Sequence, residues 1–197
     1  MKYDNFSIMY FDNPYFDDRT AFKVRYRIYC EQYGFLPLTR MGEEIDDFDL
    51  YNNNAVIHYR PTGEAVAVVR VIPYGVRGPL PFNKFAPKIA VSGHWGEVSR
   101  IGIDKDFNGT PESRKELLVY LFKAIYQLSL DLGVSHWVCM LPTALQLRMA
   151  MRGVTFEAIG LPVEYHGVRQ PCVGIAHRIL SHLEFTDRDM YNFIINR

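Results

Sequence analysis

The sequence has no excess of charge of either sign: 22 Lys and Arg are matched by 22 Asp and Glu. A balanced chain has no global field to draw it to nucleic acid or to an anionic membrane, so an acidic partner must find a local basic patch. Cysteine is scarce. Cys30, Cys139 and Cys172 form no CxxC pair and no metal-ligand spacing, which favours a reducing cytoplasm over a disulfide framework. The six histidines are scattered without an HxxxH or similar spacing, and no metal site is expected. No stretch approaches the ~20 apolar residues of a membrane span. The opening run, MKYDNFSIMYFDNPYFDD, carries acids and aromatics where a signal peptide has a basic start and an unbroken apolar segment. The expectation is a cytoplasmic protein with no integral membrane segment. Repeats, low-complexity tracts and Pro/Gly linkers are missing as well. With 197 residues, 48% of them hydrophobic and 14% aromatic, the chain is expected to build one domain over 1–197 around one sizeable core.

What is present reads as an α/β pattern. Phe22, Tyr26, Tyr29 and Tyr33 recur at helical spacing within Arg19 to Tyr33, and Arg25 lies on nearly the same stripe. After Gly34 comes an irregular acidic stretch, EEIDDFDL. The runs AVIHYR and AVAVVRVI flank a PTGE turn as a hairpin would. Arg70 alternates with Val66, Val68 and Ile72 and so points with apolar residues. A connection with the turn-forming run GVRGPLP leads to a further strand, WGEVSRIGI. Next is a long helix capped by Thr110, with Pro111 in its first turn and an apolar stripe of Leu117, Leu118, Leu121, Phe122, Ile125 and Leu128. SHWVCML reads as a buried strand, TALQLRMAMR as a shorter helix, and TFEAIG and RQPCVGIA as closing strands. The crossover from Glu97–Ile103 to His136–Leu141 must be parallel. The fold class is therefore α/β: a mixed sheet, helices on both faces, and a cleft where the two parallel strands meet their helices.

Two groups of residues stand out. Arg25, Asp46, Asp49 and Arg70 balance to zero charge, each beside apolar residues. A structural ion cluster pinning the first helix and the acidic loop over the sheet is a sufficient account of Asp46 and Asp49. The alternative is that the same arginines and acids also shape a site for a zwitterionic amine. In WGEVSRIGI, strand alternation sends Trp95, Glu97 and Ser99 to one face and Arg100 to the other. Aromatic, acid and hydroxyl on one surface suit the orientation and deprotonation of an amine. On spacing alone, an exposed edge or a hydrogen-bonded buried glutamate is the favoured account of this group.

The strings KVRYRIYCEQYGF, EEIDDFD, AVVRVIP and WGEVSRIGI, in that order, resemble the signature of the acyl-homoserine-lactone synthases. In that family an Arg and an aromatic on the first helix precede an E-x-D-x-x-D loop, a strand Arg and an E-x-S-R strand. Arg25, Tyr29, Phe35, Glu44, Asp46, Asp49, Arg70, Glu97, Ser99 and Arg100 occupy the matching positions. Tyr29 stands where the lactone synthases usually have Phe, and Phe35 where they usually have Trp. The chain resembles more closely the N-acyl amino acid synthases and exosortase-associated acyltransferases, which share YCEQYGFLP, WGEVSR, SHWVCML and the close FEAIGLPVEYHGVRQPC. The likeness runs from about Tyr26 to Cys172.

The resemblance implies a GNAT-like mixed, mostly antiparallel sheet with a central parallel strand pair. It implies an N-acyltransferase that moves a long-chain acyl group from acyl carrier protein to the amine of an amino acid. Glu97, Ser99 and Arg100 would be catalytic; Arg25, Tyr29, Phe35, Glu44, Asp46, Asp49, Arg70, Trp95 and His166 would bind substrate. No cofactor is permanently bound; the donor is the acyl-phosphopantetheine of the carrier protein. Where GNAT acetyltransferases carry a Q/R-x-x-G-x-G/A loop to cradle the coenzyme A pyrophosphate, this chain has DKDFNGTPESRK, with one glycine. Arg114, Lys115, Arg148 and Arg152 are candidates for docking the acidic carrier protein, with a solvated basic face as the alternative. No cysteine nucleophile is required. The alternatives are an acyl-homoserine-lactone synthase using S-adenosylmethionine and a non-catalytic acyl-binding domain; intact Arg25, Glu97 and Arg100 count against the latter.

Overall fold

The computed structural model describes residues 3–11, 19–50, 53–75, 81–85 and 94–197. Most of the expected GVRGPLP turn falls outside them. Strand β1 (Phe6–Phe11) opens the chain and was not foreseen from the sequence, although Phe6, Ile8 and Tyr10 alternate as a strand requires. Helix α1 (Thr20–Tyr26) runs on into a π-helical stretch over Arg27–Gln32. The hairpin follows as β2 (Asn53–Tyr59) and β3 (Glu64–Pro73), and its turn uses Gly63 at φ 73°. A 3-10 turn at Pro81–Lys84 precedes β4 (Trp95–Ile103). Helix α2 (Pro111–Asp131) begins where expected, with the Ser113 amide donating to Thr110 Oγ1 at 3.1 Å.

The remainder is β5 (His136–Leu141), α3 (Thr143–Ala150), β6 (Glu157–Ala158), β7 (Val163–Glu164), β8 (Val168–Ile175), α4 (Ala176–Thr186) and α5 (Arg188–Ile195). Two expectations are corrected. The strand sought in TFEAIG is only two residues long. The short helix ends at Ala150, so Arg152 lies in the following turn and not one helical turn beyond Arg148. The last two helices were not read from the sequence; Lys123 and Gln127 of α2 donate to the Phe193 and Ile194 carbonyls and dock α5.

The sheet runs β1-β2-β3-β4-β5-β8-β6, with β7 pairing β8. Among the described residues every neighbouring pair is antiparallel except β4 with β5. Helix α2 buries Leu117, Leu121, Phe122, Ile125 and Leu128 against one face, beside Val69, Val71 and Trp137. Helix α1 covers the other face through Ala21, Val24 and Ile28, which meet Val56 and Val68. Phe22 is buried as well, Tyr29 packs at the edge of this cluster, and Tyr33 is exposed. Among the described residues no helix is long and apolar enough to cross a membrane.

Candidate functional site

The parallel pairing of β4 and β5 is short: Trp95 faces His136, Gly96 faces Trp137 and Glu97 faces Val138. Beyond Glu97 the strands part, β4 continuing on β3 to Ile103 and β5 on β8 to Leu141. The splay opens a cleft. Glu97, Ser99 and Arg100 line it from β4, Met140, Leu141 and Leu145 from β5 and α3, and Tyr29, Phe35, Tyr165, His166 and Arg169 close it on the other side.

Two irregularities build that lining. The π-helical stretch shifts the register of the first helix, with the Tyr33 amide reaching back five residues to the Ile28 carbonyl and the Phe35 amide to Tyr29. This carries Tyr29 and Phe35 to the cleft. Gly102 permits the approach, because a Cβ there would sit 2.9 Å from Ile28 Cγ2 and 3.0 Å from Tyr29 Cε2. The second irregularity is a bulge in β4. Arg70 pairs with Ser99 while Val68 pairs with Gly102, so a two-residue step on β3 spans three on β4. Arg100 takes the extra place at φ 51°. The expectation from alternation, that Arg100 points away from Ser99, is thus corrected: the bulge returns its side chain to the cleft side.

There Arg100 closes a ring. Arg25 donates from Nε to Glu44 at 2.5 Å and from Nη1 and Nη2 to Asp49 at 2.6 and 3.0 Å. Arg70 donates to Asp49 at 2.9 Å, to Asp46 at 2.8 and 2.9 Å, and from Nε to Ser99 Oγ at 3.0 Å. Arg100 donates to Glu44 at 3.0 and 2.8 Å and to Asp46 at 3.0 Å. Three arginines and three carboxylates alternate, each joined to two of the other kind. The ring is graded in depth: the Arg25 side chain is 0% exposed and Asp49 1%, whereas Arg100 is 16% and Asp46 28%. Burial alone would raise the acid pKa values, but the guanidinium charges and hydrogen bonds outweigh it and hold Glu44, Asp46 and Asp49 ionised below their usual range.

Arg25, Glu44, Asp46, Asp49 and Arg70 therefore lie behind the cleft wall, and Trp95 packs at the start of β4 against His136, with ring centroids 5.0 Å apart. The ring fixes Ser99 through Arg70 and aims Arg100. Glu97 is different. It is 6% exposed and accepts the Phe82 amide at 2.7 Å. Desolvation raises its pKa to about 7, against the lowering effects of that hydrogen bond, Arg70 and Arg100. A carboxyl so placed changes protonation near neutrality, as a general base needs.

The aromatic wall holds itself together. Phe35 stacks on Tyr33 at 5.1 Å and lies 6.3 Å from Tyr29 and 5.7 Å from His166, and the Arg169 guanidinium sits 5.4 Å over its face. Arg100 lies 5.7 Å over Tyr29, whose hydroxyl burial pushes up to about 12. His166, at φ 52°, and Gly167, at φ 90°, make the tight turn between β7 and β8. Phe82, Phe85, Tyr165 and Arg169 also reach the cleft and were not singled out from the sequence. Arg169 had one signal, a cation in the otherwise strand-like VRQPCVGI.

The four docking candidates lie off the cleft lining. Arg114 folds onto the Gly109 and Phe107 carbonyls at 3.1 and 3.5 Å, and Lys115 and Arg148 are exposed. All three cysteines are buried and free. Burial pushes the Cys172 thiol up to about 11 and holds Cys139 well above its ordinary value, so both stay protonated.

No protein-family model matches the chain, and no curated protein sequence does. Solved structures do. The acyl-homoserine lactone synthase LasI superposes with a TM-score of 0.65 at 19% identity, over 86% of this chain and 89% of LasI. The chain has the acyl-homoserine lactone synthase fold. BjaI, a CoA-dependent acyl-homoserine lactone synthase solved with MTA, gives 0.65 at 18% identity over 87% of this chain and 81% of BjaI. FeeM, an N-acyl amino acid synthase from uncultured soil microbes, gives 0.62 at 16% identity over 90% of this chain and 94% of FeeM. These are GNAT-like acyltransferase folds, and the sheet with its parallel β4–β5 pair and flanking helices is of that type.

Proposed function

We propose that the protein is an N-acyltransferase that moves a long-chain acyl group from an acyl-carrier-protein thioester to the amine of an amino acid. Glu97 carries the reading: a buried carboxyl with a pKa near 7, at the point where β4 and β5 part. An amine arrives mostly protonated at neutral pH, and Glu97, directly or through water, takes its proton. The neutral nitrogen attacks the thioester carbonyl, the C–N bond forms, and the C–S bond breaks to release the thiol. Past Glu97, the β4 edge facing β5 has no strand partner among the described residues, and amide groups there can meet the developing oxyanion; one such donor is worth ~3–4 kcal/mol. Met140, Leu141 and Leu145 offer apolar surface to the acyl chain, and Tyr29, Phe35 and His166 face the acceptor. That wall suits an aromatic or other bulky amino acid. Mass spectrometry of lipids from cells overexpressing the wild type and Glu97→Gln tests the reading: N-acyl amino acids should accumulate with the wild type alone.

The donor assignment draws on the loop before α2. Thr110 already caps that helix and Glu112 sits in its first turn, so a pyrophosphate would meet an occupied amide and a carboxylate. A carrier protein's phosphopantetheine has no such group. Docking of the carrier would use Arg148 and Arg152 beside exposed Leu147 and Met151, with Arg114 and Lys115 at the start of α2. Reversing Arg148 and Arg152 to Glu should raise KM for acyl carrier protein about tenfold and flatten its salt dependence. Turnover with a small acyl-pantetheine should not change. Equal loss with both donors would place those arginines in folding or chemistry. A second reading, lactone synthesis from S-adenosylmethionine, is favoured by the fold shared with LasI and BjaI; a strict requirement for S-adenosylmethionine would select it.

A further inference from the structure

Three basic side chains line the cleft, and their charges are differently disposed. Arg100 is committed to Glu44 and Asp46. Burial, together with Arg169 and Arg100, lowers the His166 pKa and disfavours its charged form. Arg169 stands apart. Its Nε donates to the Tyr165 carbonyl at 2.8 Å and its Nη2 to the His166 carbonyl at 3.1 Å, and the guanidinium lies 5.4 Å over Phe35. These partners are neutral. Among the described residues no carboxylate pairs with Arg169, and its Nη1 has no hydrogen-bond acceptor.

The charge of the whole site sharpens the point. The ring of three arginines and three acids cancels, which leaves Glu97 and Arg169 as the groups of opposite sign in the cleft. A neutral acyl thioester has no use for such a pair. An amino acid has, because it brings an ammonium for the carboxyl and a carboxylate for the guanidinium. Two carbonyls and an aromatic face hold Arg169 in one orientation before any ligand arrives, which lowers the ordering cost of binding.

We propose that Arg169 is the anchor for the acceptor's carboxylate and thereby restricts acceptors to amino acids over simple amines. The inference rests on the amino-acid N-acyltransferase reading of the same site. A planar guanidinium whose Nη1 edge is open meets a carboxylate with charge-assisted, fork-like hydrogen bonds that a primary amide cannot match. The anchor is a specificity group and moves no proton.

The test compares binding of N-dodecanoylphenylalanine with that of its primary amide by calorimetry. In the wild type the acid should bind about 10- to 100-fold more tightly, the range for a hydrogen-bonded charge. Arg169→Met should remove that preference, and Arg169→Lys should keep part of it. Arg169→Met also frees the Tyr165 and His166 carbonyls and could loosen the β7–β8 turn, but loosening weakens acid and amide alike and leaves their ratio unchanged. Equal wild-type affinity for the two ligands overturns the anchor. So does no binding of the acid, or a preference that survives Arg169→Met. Turnover separates this inference from the activity beneath it. Acylation of phenylalanine and phenylalaninamide with equal kcat/KM would remove the anchor and leave an N-acyltransferase. Discrimination in binding with no acylation of any amine would keep the anchor and remove the assigned reaction.

Discussion

Replacing Glu97 by glutamine should make the protein a poorer catalyst and, above neutral pH, a more stable one. The substitution keeps the shape and an acceptor for the Phe82 amide but removes the base. Loss of a general base lowers kcat by ~10²–10⁴. The stability change has the opposite sign. Glu97 has a folded pKa of about 7 against an ordinary value of 4.5, so the folded state holds the proton more tightly than the unfolded chain. Stability therefore falls as pH rises from the unfolded to the folded pKa, and the cost is complete above about 7. A shift of that size corresponds to an upper bound of ~3 kcal/mol, at 1.36 kcal/mol per pKa unit. Denaturant midpoints should thus rise for Glu97→Gln at pH 8 and differ little from wild type at pH 4.5. A destabilised variant at pH 8 with normal kcat would make Glu97 a structural acid and move amine deprotonation to desolvation.

Arg25→Ala should cost ~3–5 kcal/mol, the penalty for removing one member of a buried ion network. The variant takes a buried cation from Glu44, which keeps Arg100, and from Asp49, which keeps Arg70 and the Asp46 amide. Because Arg25 does not line the cleft, any loss of activity in protein that remains folded is expected to come through slack in Ser99 and Arg100. Chemical denaturation gives the direct measure. An unchanged midpoint would mean that the ring exchanges freely with water, in conflict with an Arg25 side chain that is 0% exposed.

Several parts of this arrangement are legible in residue order. The hairpin, β4, α2 and β5 follow from turn chemistry, capping and apolar runs, because local signals and tertiary burial agree there. Four members of the ring stand out as charges among apolar neighbours. Arg100 stands out only within WGEVSRIGI, apart from the other four, and Glu44 enters through resemblance alone. Alternation then misplaces Arg100, since a bulge adds one residue to one strand and nothing in WGEVSRIGI marks where. The π-helical stretch misleads in the same way: a 3.6-residue period assigns Tyr29 and Tyr33 to the buried stripe, while the widened turn brings Tyr29 to the cleft. Both irregularities sit at the site, where local rules are most often broken. Strand β1 is missed for another reason. Its alternation is plain, but at the sheet edge only Phe6 is fully buried, so the apolar signal is diluted. Arg169 draws its meaning from what surrounds it in space, and its lack of an acidic partner among the described residues has no trace in the sequence.

The central claim is tested most directly by incubating the purified protein with dodecanoyl acyl carrier protein and free amino acids, without S-adenosylmethionine, and measuring amide product and released thiol together. The account predicts N-dodecanoyl amino acid and free carrier-protein thiol in equal amounts, rising with pH through about 7 as Glu97 ionises. Thiol release without any amide, or product formed only when S-adenosylmethionine is added, would contradict it.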